Sequence, residues 1–450
     1  MSHVLITFLG KGEKGTDGFY KPEQYHFEND DTPYYETNFF GLAVLKHLIN
    51  TNSPPKKFPP DKLVVLGTPS SMWNGFYELD GEVKPQHETA WATLGDAINE
   101  NTDYPEEEDI EKGRIVGHLA TLTTVLSQHL NGIECDLRVI SYGENQEGQI
   151  AILKEMAECV EENDTVSLDI THGLRHLPML VVLSAMYLQI VKKVEIEGIY
   201  YGAKEMNIRH DNIAPALNLR GLLGIADWVR ALNSFEKDGD YAVFGKLLKA
   251  DCFSKTQIKP LEEAAFFERI FNVPQAAKKL TAFRNQMPTN LPGIGHLFSD
   301  TINERTLWAT QNNLYERQRG LADFYLKNGD YPRSAIFAVE AFITHLCMLS
   351  HRDIRKYDER RKAELAFFEI NHTELKGRFV ISEQERADFQ TAFDQIKDKK
   401  TKEIDFETLK QLRNRMAHSN TPQGKVKTIM ESQNSLKSKL TELMARLLKG

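Results

Sequence analysis

The chain has 450 residues, of which 41% are hydrophobic and 26% are charged, a composition typical of a globular protein. One hydrophobic core rarely serves so long a chain, so two or three domains are expected. The formal net charge of −9 argues against a nucleic-acid partner if the charge is evenly spread.

The charge is not evenly spread. Residues 351–450 contain 22 Lys and Arg against 16 Asp and Glu, a net charge of +6. Residues 1–350 contain 33 Lys and Arg against 48 Asp and Glu, a net charge of −15. The last hundred residues are therefore suited to meet an anion, or they form the basic solvated face of a helix.

The chain carries no sign of secretion or of a membrane span. Its first residues, MSHVLITFLG, show neither a basic leader nor a small-residue cleavage site. No apolar stretch approaches 18 residues without a charge. The four cysteines lack a C-x-x-C pair and are typical of reduced thiols, so neither a disulfide nor a metal site is expected. These features favour a cytoplasmic protein.

Five short apolar runs in the first 220 residues are separated by helical patterns. Strands are predicted at 3–10, 62–68, 136–141, 165–170 and 194–202, and helices at 36–49, about 109–130, 147–161 and 178–192. Continuous apolar strands alternating with helices indicate a parallel sheet covered on both faces. Residues 1–220 are therefore predicted to form a Rossmann-like α/β domain.

Each of the first four runs ends in small or polar residues. In open α/β sheets the ligand crevice lies outside the carboxyl ends of the strands, so these residues are candidates for binding a ligand. The candidates, in chain order, are Gly10, Lys11, Thr68, Ser70, Tyr142, Thr171, His172, Gly173 and Arg175. Lys204, after the fifth run, either adds to the crevice or lies in a surface turn.

The segment THGLR (171–175) follows the fourth strand, and Pro178 stands where a helix can begin. Backbone N–H groups at such a helix start point into the crevice. Gly173 allows a close backbone approach, while His172 and Arg175 offer donors and positive charge. This combination suits a phosphate-bearing ligand.

A structural reading of the same segment stays open. Asp169 and Arg175 would then form a local ion pair, and His172 would merely cap a turn.

The first loop, LGKGEKG, lacks the G-x-x-x-x-G-K-[ST] spacing and is weak evidence for a nucleotide hydrolase.

From residue 221 onward the patterns are helical. We expect a helical connector at 221–305 and a helical bundle at 306–450.

Near the end of one predicted helix, Arg413 and His418 are separated by four residues, and Asn414 follows the arginine. Five helical positions turn roughly 140°, so the pair does not stack on one face. Two copies of the helix across a two-fold axis would bring the two side chains together. The alternative is a solvated arginine pair and a histidine at a helix C-cap.

These residues carry a family resemblance. DITHGLRHLPML resembles the D-x-T-H-G-x-R-x-x-P signature of CARF domains in type III CRISPR-associated proteins, and RNRMAH resembles the R-x-x-x-x-H motif of HEPN ribonucleases. The resemblance implies a CARF domain at 1–220, a connector, and an all-α HEPN domain at 306–450. It covers essentially the whole chain.

The resemblance also implies a function. The α/β domain would bind a cyclic oligoadenylate as allosteric activator, by family habit cyclic tetra-adenylate, and no cofactor would be needed. The helical domain would cut single-stranded RNA without metal in type III CRISPR antiviral defence, with Arg413, Asn414 and His418 in catalytic roles. The partners implied are the activator, the RNA and a second copy of the chain, with a higher oligomer left open. Two alternatives stay open: a catalytically silent scaffold that binds cyclic oligoadenylate, and a ring nuclease that degrades its own activator.

Overall fold

The structure is a computed structural model that describes residues 2–16, 18–28, 31–32, 34–50, 59–79, 81–209, 212–250, 253–288, 291, 293–368, 381–418 and 424–448. Its internal contacts divide the chain into two compact units, residues 1–224 and residues 225–450. The first unit is built on a β-sheet, and the second is helical.

The described part of the first unit contains one sheet of eight strands, which run in the order β3-β2-β8-β7-β6-β1-β4-β5. Their bounds are β1 (His3–Leu9), β2 (Glu23–Phe27), β3 (Tyr35–Thr37), β4 (Lys62–Gly67), β5 (Glu134–Val139), β6 (Thr165–Asp169), β7 (Glu195–Gly202) and β8 (Ala214–Asn218). The five predicted strands are β1, β4, β5, β6 and β7. They are neighbours in the sheet, and each pairs parallel with the next.

Three further strands, which the sequence does not predict, extend one side of this parallel sheet. Strand β8 pairs antiparallel with β7, β2 pairs parallel with β8, and β3 pairs antiparallel with β2. These three strands have three to five residues each and contain exposed or half-buried positions, so they lack the continuous apolar run of a central strand. The sheet is therefore mixed, with a parallel centre.

Helices cover both faces of the parallel centre, as predicted. Residues Leu5 and Leu9 of β1 pack into one hydrophobic layer, while Val4, Ile6 and Phe8 pack into the layer on the opposite face. This alternation follows from the two-residue period of a strand. The helices of this unit are α1 (Phe40–Asn50), α2 (Glu88–Asp103), α3 (Glu108–His129), α4 (Gln146–Glu158) and α5 (Leu177–Val191).

Two details differ from the predicted helices of this unit. The helix predicted at 36–49 begins four residues later, because Tyr35–Thr37 pairs with β2 as a strand. Helix α2 was not predicted, since few of its residues are apolar; its buried positions include Leu94 and Ile98.

Helix α6 (Gly221–Asp238) leads into the second unit, where the described residues contain helices only. The remaining helices are α7 (Gly245–Ala250), α8 (Lys255–Arg269), α9 (Val273–Gln286), α10 (Ser299–Thr306), α11 (Leu314–Lys327), α12 (Tyr331–Leu349), α13 (Tyr357–Phe367), α14 (Glu383–Phe393), α15 (Lys399–His418), α16 (Gly424–Met430) and α17 (Gln433–Leu448). Their buried residues form one hydrophobic cluster that extends from Trp228 to Ala309, and a larger one formed mainly by α11 to α17.

Helix α12 is the one described helix that is long and apolar enough to cross a membrane by length and composition. Most of it is buried inside the larger cluster, where Phe337, Phe342 and Leu346 are fully enclosed. Its hydropathy is accounted for by this central position.

Candidate ligand crevice and candidate nuclease motif

The loops after β1 and β6 touch backbone to backbone at the carboxyl edge of the sheet. A Cβ placed on Gly10 would lie 2.5 Å from the backbone nitrogen of Gly173, closer than real side chains come. The loop after β4 joins them, because the Met72 N–H donates to the Gly10 carbonyl at 2.8 Å and the Ser71 hydroxyl donates to the Leu9 carbonyl at 2.6 Å. The parallel pairing of β1 with β4 and β6 thus brings three candidate loops together.

Asp169 anchors the segment THGLR from below. Its side chain is fully buried and accepts hydrogen bonds from the Thr7 hydroxyl and, at 2.8 Å, from the Thr171 N–H. Burial raises the pKa of Asp169 to about 6, and these hydrogen bonds partly offset that rise. The Thr171 hydroxyl accepts in turn from the Gly202 N–H of β7 at 2.8 Å. The local ion pair between Asp169 and Arg175, which the structural reading expected, is not formed between these two described residues.

His172 faces the start of α1. Its Nε2 accepts the Phe40 N–H at 3.1 Å, and its ring lies 5.9 Å from the ring of Phe39. Burial, together with the charge of Lys204, lowers the pKa of His172 to about 4. The expected positive charge at His172 is therefore wrong, because the ring is neutral near pH 7 and one of its nitrogens serves as an acceptor.

The rest of the segment is open to solvent. Gly173 has φ +110°, a conformation that L side chains rarely adopt. The N–H groups of Gly173, Leu174 and Arg175 donate to no described residue. The Arg175 side chain is exposed and likewise bonds to none of the described residues. Three backbone donors and one guanidinium are thus available directly before α5.

The candidates after β4 serve the loop itself. Thr68 is 6% exposed; its hydroxyl lies 3.1 Å from that of Ser71, and its carbonyl accepts the indole N–H of Trp73 at 2.9 Å. Ser70 is 8% exposed and lies close enough to Tyr142 to lower the pKa of that phenol slightly against the effect of burial. The Thr68 contacts stabilise the loop, and little of either side chain reaches solvent.

Tyr142 is held by a residue that the sequence analysis did not single out. Its hydroxyl donates to Glu111 Oε2 at 2.7 Å, and its carbonyl lies 2.8 Å from Nε2 of His176. Burial raises the pKa of Tyr142 above its usual range. Glu111 is only 2% exposed. The spacing of Glu111, Ile115, Leu122 and Leu126 on one face of α3 is the signal that would have indicated its burial.

The lysines near the crevice differ in their partners. Lys11 is exposed and bonds to no described residue. Lys204 pairs with Glu23 and, at 3.4 Å, with Glu13. Lys204 therefore lies near the crevice, since its charge contributes to the lowered pKa of His172. The carboxylates of Glu23 and Glu13 already balance that charge.

The nuclease motif lies at the end of α15, within the last two turns of the helix. Arg413 is half-buried beside the fully buried Leu412, and its Nε is enclosed without a partner in the described part of the chain. Asn414 and His418 are exposed, and His418 is the last residue of the helix. The helical path keeps Arg413 and His418 on different faces. One chain alone does not bring the two side chains together.

The described residues contain no group of three or more His, Cys, Asp or Glu side chains placed to hold a metal ion.

Comparisons with known proteins bear on these sites. The family model for the CARF domain of the CRISPR system endoribonuclease Csx1 matches residues 4–205. The chain is 25% identical over 448 residues to the CRISPR-associated protein MJ1674 of Methanocaldococcus jannaschii, a match that covers 93% of this chain and 62% of that protein. Among solved structures, Enterococcus italicus Csm6 bound to cyclic hexa-2′-fluoro-hexa-dAMP matches with a TM-score of 0.39 and 12% identity, over 100% of this chain and 94% of that one. The family model spans the whole parallel centre of the sheet and the loops of the crevice.

Proposed function

We propose that the chain is a CARF-containing ancillary protein of type III CRISPR systems, a proposal supported by the CARF family model over residues 4–205 and by the CRISPR-associated relative. Its α/β unit then senses a cyclic oligoadenylate, and its helical unit cuts single-stranded RNA in response. The open segment at 171–175 is the observation that carries the sensing role. The unpaired backbone N–H groups of the loop before α5 and a free guanidinium are donors that fit phosphate oxygens.

The buried scaffold below the segment supports this role. Asp169 and Thr171 fix the end of β6, and His172 ties it to α1. The side chains that hold the loop are thus distinct from the groups that face solvent. A ligand at Arg175 would meet backbone donors already held in position, which lowers the entropy lost on binding.

The half-buried Arg413 supports the nuclease role, because packing restricts its side chain while part of the residue stays accessible to an RNA phosphate. The RNA 2′-hydroxyl would attack the adjacent phosphate, Arg413 would stabilise the charge that develops on the phosphate oxygens, and His418 would assist proton transfer. Asn414, exposed beside Arg413, can donate to the same phosphate. A substrate without the 2′-hydroxyl would not be cut.

The exposed face of α5 supports a homodimer. Met179, Leu183 and Ile190 lie on one face of this helix and are 67%, 60% and 63% exposed, with Tyr187 between them at 37%. Such an apolar stripe is typical of a surface that another protein covers. A ring with two-fold symmetry suits two copies that each supply half of a pocket. Pairing of two chains would also provide the second α15 that the separated Arg413 and His418 require.

One experiment separates the proposed function from its alternatives. Purified protein is incubated with labelled single-stranded RNA and with each ring size of cyclic oligoadenylate, and both nucleic acids are followed. We expect RNA cleavage only when a ring is present, with the tetra-adenylate ring most effective. Intact RNA together with a bound ring would show a scaffold, and a linearised ring would show a ring nuclease.

A further inference from the structure

A cavity of about 640 Å³ lies in the helical unit, between the end of α12, the start of α15 and the end of α17. Pockets for small ligands usually have about 300–1,000 Å³. The nuclease motif occupies the opposite end of α15. Its residues do not line this cavity.

The rim of the cavity is cationic. Lys397, Lys402 and Arg446 line it together with two carboxylates. Arg446 contacts the 4% exposed Asp405 at 3.4 Å and Glu442 at 2.6 Å, so its charge is balanced. Lys402 is half-buried, and its side-chain ammonium forms no hydrogen bond or ion pair with a described residue. An ammonium in this position favours an anionic ligand.

The wall of the cavity offers an aromatic ring and aliphatic surface. His345 lines the wall, and its ring centroid lies 5.0 Å from that of Tyr315. Burial, and secondarily the charge of Lys402, lowers the pKa of His345, so the ring is neutral near pH 7. Leu349 and Ile396 supply apolar surface beside it. A flat, partly apolar group with an attached anion fits such a wall and rim together.

We propose that this cavity is a subsite for one nucleotide of the substrate RNA, its base against His345 and its phosphate on Lys402. The inference rests on the proposed ribonuclease function and extends it to a contact away from the cleaved bond. Neutral imidazole rings are among the side chains on which unstacked RNA bases stack. The buried carboxylate of Asp405, held by Arg446, is an acceptor for an exocyclic amine of the base.

The position on α15 is consistent with a distal subsite. Lys402 and Arg413 are eleven residues apart, about three turns and roughly 16 Å along the helix axis, and they point within about 20° of the same direction. Leu409 lies between them on that stripe and is fully buried. An RNA strand that contacts both Lys402 and Arg413 would therefore leave the surface of α15 between them and bridge the gap with several nucleotides.

The test measures binding of a uniformly 2′-O-methylated oligonucleotide, which lacks the attacking hydroxyl and stays intact. Fluorescence anisotropy at several salt concentrations compares wild type with Lys402→Glu and with the matched control Lys400→Glu, whose side chain is exposed and does not line the cavity. Lys402→Gln removes the charge without reversing it and serves as the second variant. Thermal melting of each full-length variant reports folding.

We expect Lys402→Glu to weaken binding at least fivefold and Lys402→Gln to weaken it less, while Lys400→Glu stays within twofold. The slope of log affinity against log salt should become shallower by about 0.7 for the one lost phosphate contact on a single strand. RNA cleavage under saturating activator should show a raised KM with little change in kcat.

Equal binding by folded Lys402→Glu and Lys400→Glu would overturn the subsite, while cleavage by wild type would leave the proposed function standing. AMP, CMP, GMP and UMP are titrated alone by calorimetry. Tight binding of a free mononucleotide that Lys402→Glu abolishes would assign the cavity to a small-molecule effector and overturn the RNA subsite. Absence of RNA cleavage by wild type with every ring would overturn the proposed function and the subsite with it.

Discussion

Replacing Arg175 with Ala separates sensing from folding. The side chain is exposed and bonds to no described residue, so its removal should change the free energy of unfolding by less than about 0.5 kcal/mol. A charge-assisted contact to phosphate is worth about 1.5 to 3 kcal/mol. At about 1.4 kcal/mol for each factor of ten, each lost contact should lower the affinity for the activator roughly 10- to 150-fold.

The assay pairs calorimetric binding of cyclic oligoadenylate with activator titrations of RNA cleavage. Saturating activator should restore much of the cleavage rate, because the nuclease motif is untouched and the ligand acts only through its preference for the active state. Lys154→Ala, which removes one exposed charge from α4, is the matched control and should bind as wild type does. Unchanged affinity of Arg175→Ala would refute the reasoning and show that the segment at 171–175 is a structural turn.

Arg413→Ala or His418→Ala should abolish RNA cleavage while activator binding and the melting temperature stay close to those of wild type; normal cleavage by either variant would remove the motif from consideration. Cleavage should persist in excess EDTA and leave a 2′,3′-cyclic phosphate and a 5′-hydroxyl, seen by mass spectrometry, whereas a strict need for a divalent ion would point to another active site. Burial raises the pKa of Asp169 from 3.8 to about 6, so protonation of Asp169 stabilises the fold as the pH falls from 6 towards 4. Burial lowers the pKa of His172 from 6.5 to about 4, so the same fall in pH destabilises the fold through His172. Asp169→Asn should therefore lose stability more steeply than wild type between pH 6.5 and pH 4 in urea titrations, and a shallower loss would contradict these assignments.

The parallel centre of the sheet was predictable because burial on both faces requires continuous apolar runs. The three strands of the mixed side, β2, β3 and β8, were not predictable. APALN of β8 contains Pro215, and YET of β3 has three residues with an exposed centre. Such segments become strands through pairing with distant partners, and neither their composition nor their length distinguishes them from loops.

The crevice was predictable in outline, because parallel strands deliver their carboxyl ends to one edge. The protonation state and the hydrogen bonds of individual side chains were not predictable from the sequence. His172 is neutral because burial lowers its pKa, and the N–H that its Nε2 accepts comes from Phe40, which lies 132 residues away in the chain. The position of Thr68 after β4 predicted a ligand contact, but its hydroxyl instead forms a hydrogen bond with Ser71 in its own loop. Both outcomes depend on packing that a single sequence does not specify.

The start of α5 lies two residues after Arg175, and its outer face is the apolar stripe at 179–190. An activator bound at the first turn of α5 and a second chain bound to the apolar stripe would contact two sides of the same helix. Their binding free energies would then be coupled, and by reciprocity each would strengthen the other by the same factor. Mass action follows from this coupling: the activator concentration for half-maximal cleavage should fall as protein concentration rises. A cell could set the threshold of this response through the abundance of the protein alone.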